Sequence, residues 1–138
     1  MASHLRLLAS RLSKGIIMTE QQRKPVVFIA GPMTGYQDYN RAEFDAEASV
    51  LSDRGFTVLN PAILPDGLEH QQYLAITLAM LEQADSVFLL DGWEKSRGAM
   101  QEFQRGRELG LVFMFQSWET ATLAIMHNRY SPREVTSE

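Results

Sequence analysis

The chain has 138 residues, 45% of them hydrophobic and 22% charged, with a formal net charge of −4. One domain of this size buries roughly two-thirds of its unfolded surface, enough for a true core. The acidic balance argues against a nucleic-acid polymer as partner, and the lack of Cys removes disulfide and thiolate chemistry. No apolar run approaches the roughly 20 residues that span a bilayer. His4, His70 and His127 are too scattered to suggest a metal site; neither metal nor cofactor is expected, and the expected location is cytoplasmic, away from any membrane.

Residues 1–22 read as a flexible extension. Its first nineteen residues hold Arg6, Arg11 and Lys14 but no acid, with Leu5, Leu7, Leu8, Leu12 and Ile16 on weak amphipathic spacing. A basic, acid-poor start admits a targeting role. A plain tail, or translation beginning at Met18, accounts for it equally simply and is preferred. A folded domain is expected over 23–130, followed by a polar tail over 131–138.

Within that domain strand and helix signals alternate. Residues 25–30 are a short apolar run stopped by Gly31-Pro32, a buried strand. Asn40 is placed to cap a helix to about Arg54, with Phe44, Ala48 and Leu51 on one stripe and Gly55 as its stop. A second strand covers 56–59 and ends at Asn60-Pro61. After a loop with Pro65, Asp66 and Gly67, a helix from about 69 to 83 carries Tyr73, Leu74, Thr77, Leu78 and Leu81 on one face. Thr77 thus points inward, where its hydroxyl can bond the carbonyl of Tyr73 four residues back. A third strand (86–90), a helix (about 98–109), a fourth strand (111–115) and a short helix near 120–128 complete the pattern.

Apolar, non-alternating strands joined by helices imply a parallel sheet covered on both faces. Right-handed crossovers then predict a doubly wound, flavodoxin-like α/β sheet of four strands in the order 2-1-3-4. The switch point of that order lies between strands 1 and 3. It brings together the two most distinctive loops, 31–36 and 91–98.

Those loops and the helix after them carry the candidate chemistry. Gly31 and Gly35 free the backbone to approach a ligand, or simply make a tight turn. Neither a dinucleotide fingerprint nor a Walker lysine is present. Ser96 and Gly98 begin a helix, where they hold an anion or serve as an ordinary cap. Asp91 ends the third strand, a position that often carries site residues. Trp93 and Tyr36 suit stacking on a base or burial in a core. Ala99, Phe103, Arg107 and Gly110 define the inward stripe of the helix, which leaves Glu102 at its margin. Small residues, Gly98 and Gly106, flank Glu102 one turn away on each side. The acid therefore faces either a pocket or solvent, where Arg105 would be its partner.

Together Val27-Phe-Ile-Ala-Gly-Pro-Met33, Asn60-Pro61, Ala84-Asp85 with its following strand, and Gly92 through Glu102 resemble the nucleoside 2-deoxyribosyltransferase-like superfamily. The likeness is greatest to a small uncharacterised phage and prophage branch, similar to the 2′-deoxynucleoside 5′-phosphate N-hydrolases. The resemblance implies that Glu102 is a nucleophile at C1′ of a nucleotide and that Ser96 holds the 5′-phosphate; Asp91, from its place at the strand end, is the second catalytic candidate. The resemblance further implies a substrate site drawn from Gly31, Pro32, Met33, Thr34, Gly35, Tyr36, Asn60, Thr77, Trp93 and Gly98. Active members usually carry an Asp where this chain has Thr77, so activity is expected to be low unless Asp91 or Glu94 fills that role. The superfamily also implies a homodimer, for which Phe113, Phe115, Trp118, Leu123, Ile125 and Met126 offer an apolar surface. The alternatives are a non-catalytic nucleotide-binding protein and an NAD- or nucleotide-processing defence factor.

Overall fold

The computed structural model describes residues 23–130; the expected N-terminal extension and polar tail lie outside the described residues. The elements in chain order are β1 (Val26–Ala30), α1 (Arg41–Asp53), β2 (Thr57–Leu59), α2 (His70–Leu81), β3 (Ser86–Leu89), α3 (Arg97–Leu109), β4 (Val112–Phe115) and α4 (Trp118–Tyr130). All strand pairings are parallel and the order is β2-β1-β3-β4. Helices cover both sides of the sheet, as the sequence pattern predicts.

The side-chain alternation of a strand distributes the core between two faces. From β1, Phe28 and Ala30 join Leu81 of α2 and Phe103 of α3. Val27 and Ile29 point the other way, to Phe44 and Leu51 of α1. β3 and the residue after it divide identically, with Val87 and Leu89 on the α2/α3 face and Phe88 and Leu90 on the α1 face. Both faces of the central strands are dry, which is why these strands read as continuous apolar runs. Each fully buried Phe or Leu contributes about 1.5–3 kcal/mol.

Local signals set the boundaries. Gly110, at φ 73°, ends α3 with its N–H on Arg107 O and the Leu111 N–H on Gly106 O, both at 3.0 Å; only a left-handed residue closes that double bond, and glycine adopts it without strain. Glu69 and Gln72 form a reciprocal capping box at the start of α2. The Asp85 carboxylate accepts from Val26 N at 2.8 Å and its own N–H returns to Val26 O at 2.8 Å, so the Ala84-Asp85 motif fastens β3 to β1. Asn40 departs from expectation. Its side chain makes no cap and instead donates to Pro32 O at 2.9 Å, while Asp38, Tyr39 and Asn40 all take positive φ. The C-terminal apolar residues also divide: Trp118, Ile125 and Met126 are exposed, whereas Leu123 and Phe113 pack against the core.

One close approach gives a direct test of this packing. A Cβ added at Gly31 would lie 2.8 Å from Leu90 Cβ, which no small side-chain rotation relieves. Gly31→Ala should destabilise the protein by about 1–3 kcal/mol through overpacking. The expected result in urea unfolding is a lower midpoint with an unchanged slope.

Candidate active site

A cavity of about 460 Å³ opens at the C-terminal edge of the sheet, within the size range of small-molecule sites. Its walls come from opposite faces. Arg41 and Phe44 of α1 form one side; Thr77 of α2 with Ser96, Ala99 and Glu102 of α3 form the other. Gly31, Met33 and Thr34 line it from the end of β1, and Pro61, Leu64 and Asp66 from the loop after β2. Crossovers that leave the sheet on different faces create this crevice.

Glu102 is 7% exposed and faces the cavity rather than solvent. Arg105, its expected solvent partner, is engaged with Glu82 at 3.1 Å and Glu108 at 3.0 Å. Burial pushes the Glu102 carboxyl from an ordinary 4.5 to about 8, against a smaller opposing pull from the Thr77 side chain hydrogen-bonded to it. The Thr77 hydroxyl also reaches Leu74 O at 3.3 Å, three residues back rather than the expected four. A hydroxyl has one proton. With Glu102 protonated, Thr77 gives that proton to Leu74 O. When Glu102 ionises, the threonine proton must swing to the carboxylate.

Ser96 caps α3, its Oγ accepting from Ala99 N at 3.1 Å. Because the oxygen is the acceptor in that bond, its own proton stays available to a ligand. Gly98 sits beside His70, whose Cε1 would lie 3.7 Å from an added Cβ. The first turns of α2 and α3 therefore meet at one end of the cavity. The opposite side holds Arg41, which donates from Nε to Ala62 O (3.2 Å) and from Nη2 to Leu64 O (3.1 Å). It also donates to Asp66 (2.7 Å) and Asp38 (2.9 Å). Asp66 foremost raises the pKa of this guanidinium further.

Of the residues expected at the site, Gly31, Met33, Thr34, Thr77, Ser96, Gly98 and Glu102 share the cavity, whereas Pro32, Gly35, Tyr36, Asn60, Asp91 and Trp93 do not line it. The expected convergence of the two loops is nevertheless present. A Cβ added at Gly92 would meet Tyr36 Oη at 2.8 Å and Pro32 Cγ at 3.2 Å. Trp93 is fully buried, with its ring 4.6 Å from Phe103, so it belongs to the core rather than to a stacking surface. Asp91 accepts from Ser117 Oγ (2.6 Å) and Thr120 Oγ1 (2.5 Å) and so fastens the start of α4. Asn60 caps the turn at 61–63 and donates to Asp45 at 2.9 Å. Glu94 is likewise absent from the lining. Sequence reasoning missed Arg41, Tyr39, Asp66, His70 and Tyr73, all of which line the cavity. Only the Pro65-Asp66-Gly67 turn signal marked that neighbourhood.

Among the described residues no group of three or more His, Cys, Asp or Glu side chains is set to hold a metal ion. No helix among them is long and apolar enough to cross a membrane. The sheet order and the crevice define a doubly wound, flavodoxin-like α/β fold. A solved 2-desoxiribosyltransferase from Leishmania mexicana superposes with a TM-score of 0.54 over 66% of this chain and 63% of that one, at 17% identity. The chain thus spans less than two-thirds of that structure, and the likeness is one of fold. The family model described as a domain of unknown function (DUF4406) matches residues 25–115, and the chain belongs to that family. Comparison with curated proteins returns no match.

The Glu102 proton has a consequence for stability. Between about pH 4.5 and 8 the folded protein holds this proton while an unfolded chain has released it. The contribution is fully present below 4.5 and is lost as pH rises through about 8. Glu102→Gln keeps the shape and removes the titration. Thermal unfolding should show the variant gaining on the wild type as pH rises from about 5 to about 9. Parallel curves would contradict the buried, neutral carboxyl.

Proposed function

We infer that the protein is a nucleotide N-glycosidase that cleaves the base–sugar bond of a 2′-deoxynucleoside 5′-monophosphate. The observation that carries this reading is a buried carboxylate, Glu102, in the cavity six residues beyond the Ser96 cap of α3. The phosphate would lie at Ser96 and the α3 N-terminus, where a free hydroxyl proton, backbone N–H groups and the helix dipole favour an anion. The likeness in fold to a deoxyribosyltransferase supports the same chemistry. A small-molecule substrate in a cytoplasmic setting fits this reading.

The reaction is a double displacement. A Glu102 oxygen attacks C1′, the C1′–N bond breaks, and its electron pair leaves with the base. The base takes its proton from solvent as it leaves; water then attacks C1′ of the ester, frees the carboxylate, and returns a proton to solvent. The sum is nucleotide plus water giving base plus deoxyribose 5-phosphate. Attack requires ionised Glu102, which burial disfavours in the resting site. The transition state reverses this, because positive charge developing at C1′ lies against the carboxylate.

Wild-type protein should release base from monophosphates at least about tenfold more efficiently than from nucleosides, since charge-assisted bonds contribute about 1.5–3 kcal/mol each. The rate should rise with pH through about 8 as Glu102 ionises. Glu102→Gln should release none. Chromatography of released base from a nucleotide panel checks all three; turnover by Glu102→Gln would exclude the covalent role.

Thr77 favours a second reading, a protein that binds nucleotides and does not cleave them. Threonine cannot exchange a proton at neutral pH as a carboxylic acid can. Under the catalytic reading the wild type is slow and Thr77→Asp accelerates base release at least about tenfold, by providing the missing acid–base group. Tight nucleotide binding without base release in either protein would establish the second reading instead.

A further inference from the structure

The side of the cavity facing Glu102 carries a charged pair that the reaction above does not use. Arg41 has five N–H donors, and four are committed: to Ala62 O, Leu64 O, Asp38 Oδ1 and Asp66 Oδ1. The guanidinium ties the turn before α1 to the loop after β2 and is held rigidly between them. Asp66 spends Oδ1 on this bond, and its side chain is 67% exposed, so Oδ2 is open to a donor. Beside the pair lie the flat or apolar groups Phe44, Pro61 and Leu64. This is a slot for a planar ring, with a fixed acceptor at its rim.

Displacement at carbon orients the substrate. The nucleophile and the leaving nitrogen must lie on opposite sides of C1′ for the orbitals to align. Glu102 belongs to the α3 wall, so the base projects away from it, across the cavity to the α1 wall and the loop after β2. Resting on the glycosidase reading, we propose that Asp66 is the specificity-determining residue for the base, held in place by Arg41, and that it selects bases bearing an exocyclic amino group. Adenine and cytosine present that donor, and carboxylates accept from such amino groups. Hypoxanthine and uracil place a keto oxygen at the same position, where it would face the carboxylate acceptor to acceptor. Discrimination therefore combines a bond gained with a repulsion imposed.

The test uses matched pairs that differ at this group and, with it, in the hydrogen on the adjacent ring nitrogen: dAMP against dIMP, and dCMP against dUMP. Calorimetric titration of the Glu102→Gln variant prevents turnover during the measurement. The amino member of each pair should bind at least about tenfold more tightly, a difference one hydrogen bond to a charged group supports. Adding Asp66→Ala should shrink the preference to within about twofold, and adding Asp66→Asn, which offers a donor, should move it toward the keto member. Equal binding within both pairs, or a preference that survives Asp66→Ala, overturns the assignment while leaving base release by the wild type untouched. Failure of all four nucleotides to bind, with no base released by the wild type, overturns the glycosidase reading and this inference with it.

Discussion

The structure depends on β1 lying between β2 and β3 as a parallel partner of both. A parallel neighbour is reached only by a crossover over one face of the sheet, and the right-handed sense of crossovers sends the first connection over one face and the second over the other. α1 therefore covers the Val27 and Ile29 face, while α2 and α3 cover the Phe28 and Ala30 face. Where the chain divides, no helix bridges the strand ends, and a crevice opens. The cavity is a consequence of topology before any of its residues is considered.

Within that crevice α3 accepts an electrostatic cost. A carboxyl on a helix normally turns toward water, yet Glu102 lies beside Ala99 and Thr77 and holds its proton to about pH 8. Gly106 makes the position attainable. A Cβ there would stand 3.1 Å from Phe113 Cζ and 3.3 Å from Val87 Cγ2, so the missing side chain lets α3 pack tightly on the sheet. On the preceding turn Gly98 leaves room beside His70. The two glycines thus serve different ends, close helix–sheet packing and an open cavity wall. Thr77 completes the niche with a hydroxyl able to serve either protonation state of the acid.

The distinctive motif from Asp91 to Glu102 proves to be two structures in series. Its first part is scaffold: Asp91 holds Ser117 and Thr120, and Trp93 fills the core against Phe103. Its second part, from Ser96 to Glu102, faces the cavity. The two parts look alike in sequence because a buried tryptophan and a base-stacking tryptophan require the same residue. Likewise, an aspartate at a strand end meets a helix cap as readily as a ligand. The choice between such roles depends on which element passes nearby, here α4.

By itself the sequence determined the element order, the sheet order, and the inward faces of α1, α2 and α3. Those properties follow from periodicity, glycine and proline punctuation, and crossover handedness, all of which act within or between adjacent segments. The Ser96 cap and the inward Thr77 were legible for the same reason. Only the tertiary structure decided that Glu102 faces the cavity, since a helical wheel fixes a direction about the helix axis and not what lies in that direction. Tertiary structure alone also brought Arg41 to Asp66, residues 25 apart in the chain. Their loops meet because β1 and β2 are neighbours in the sheet, and that proximity has no trace in the local pattern around either residue.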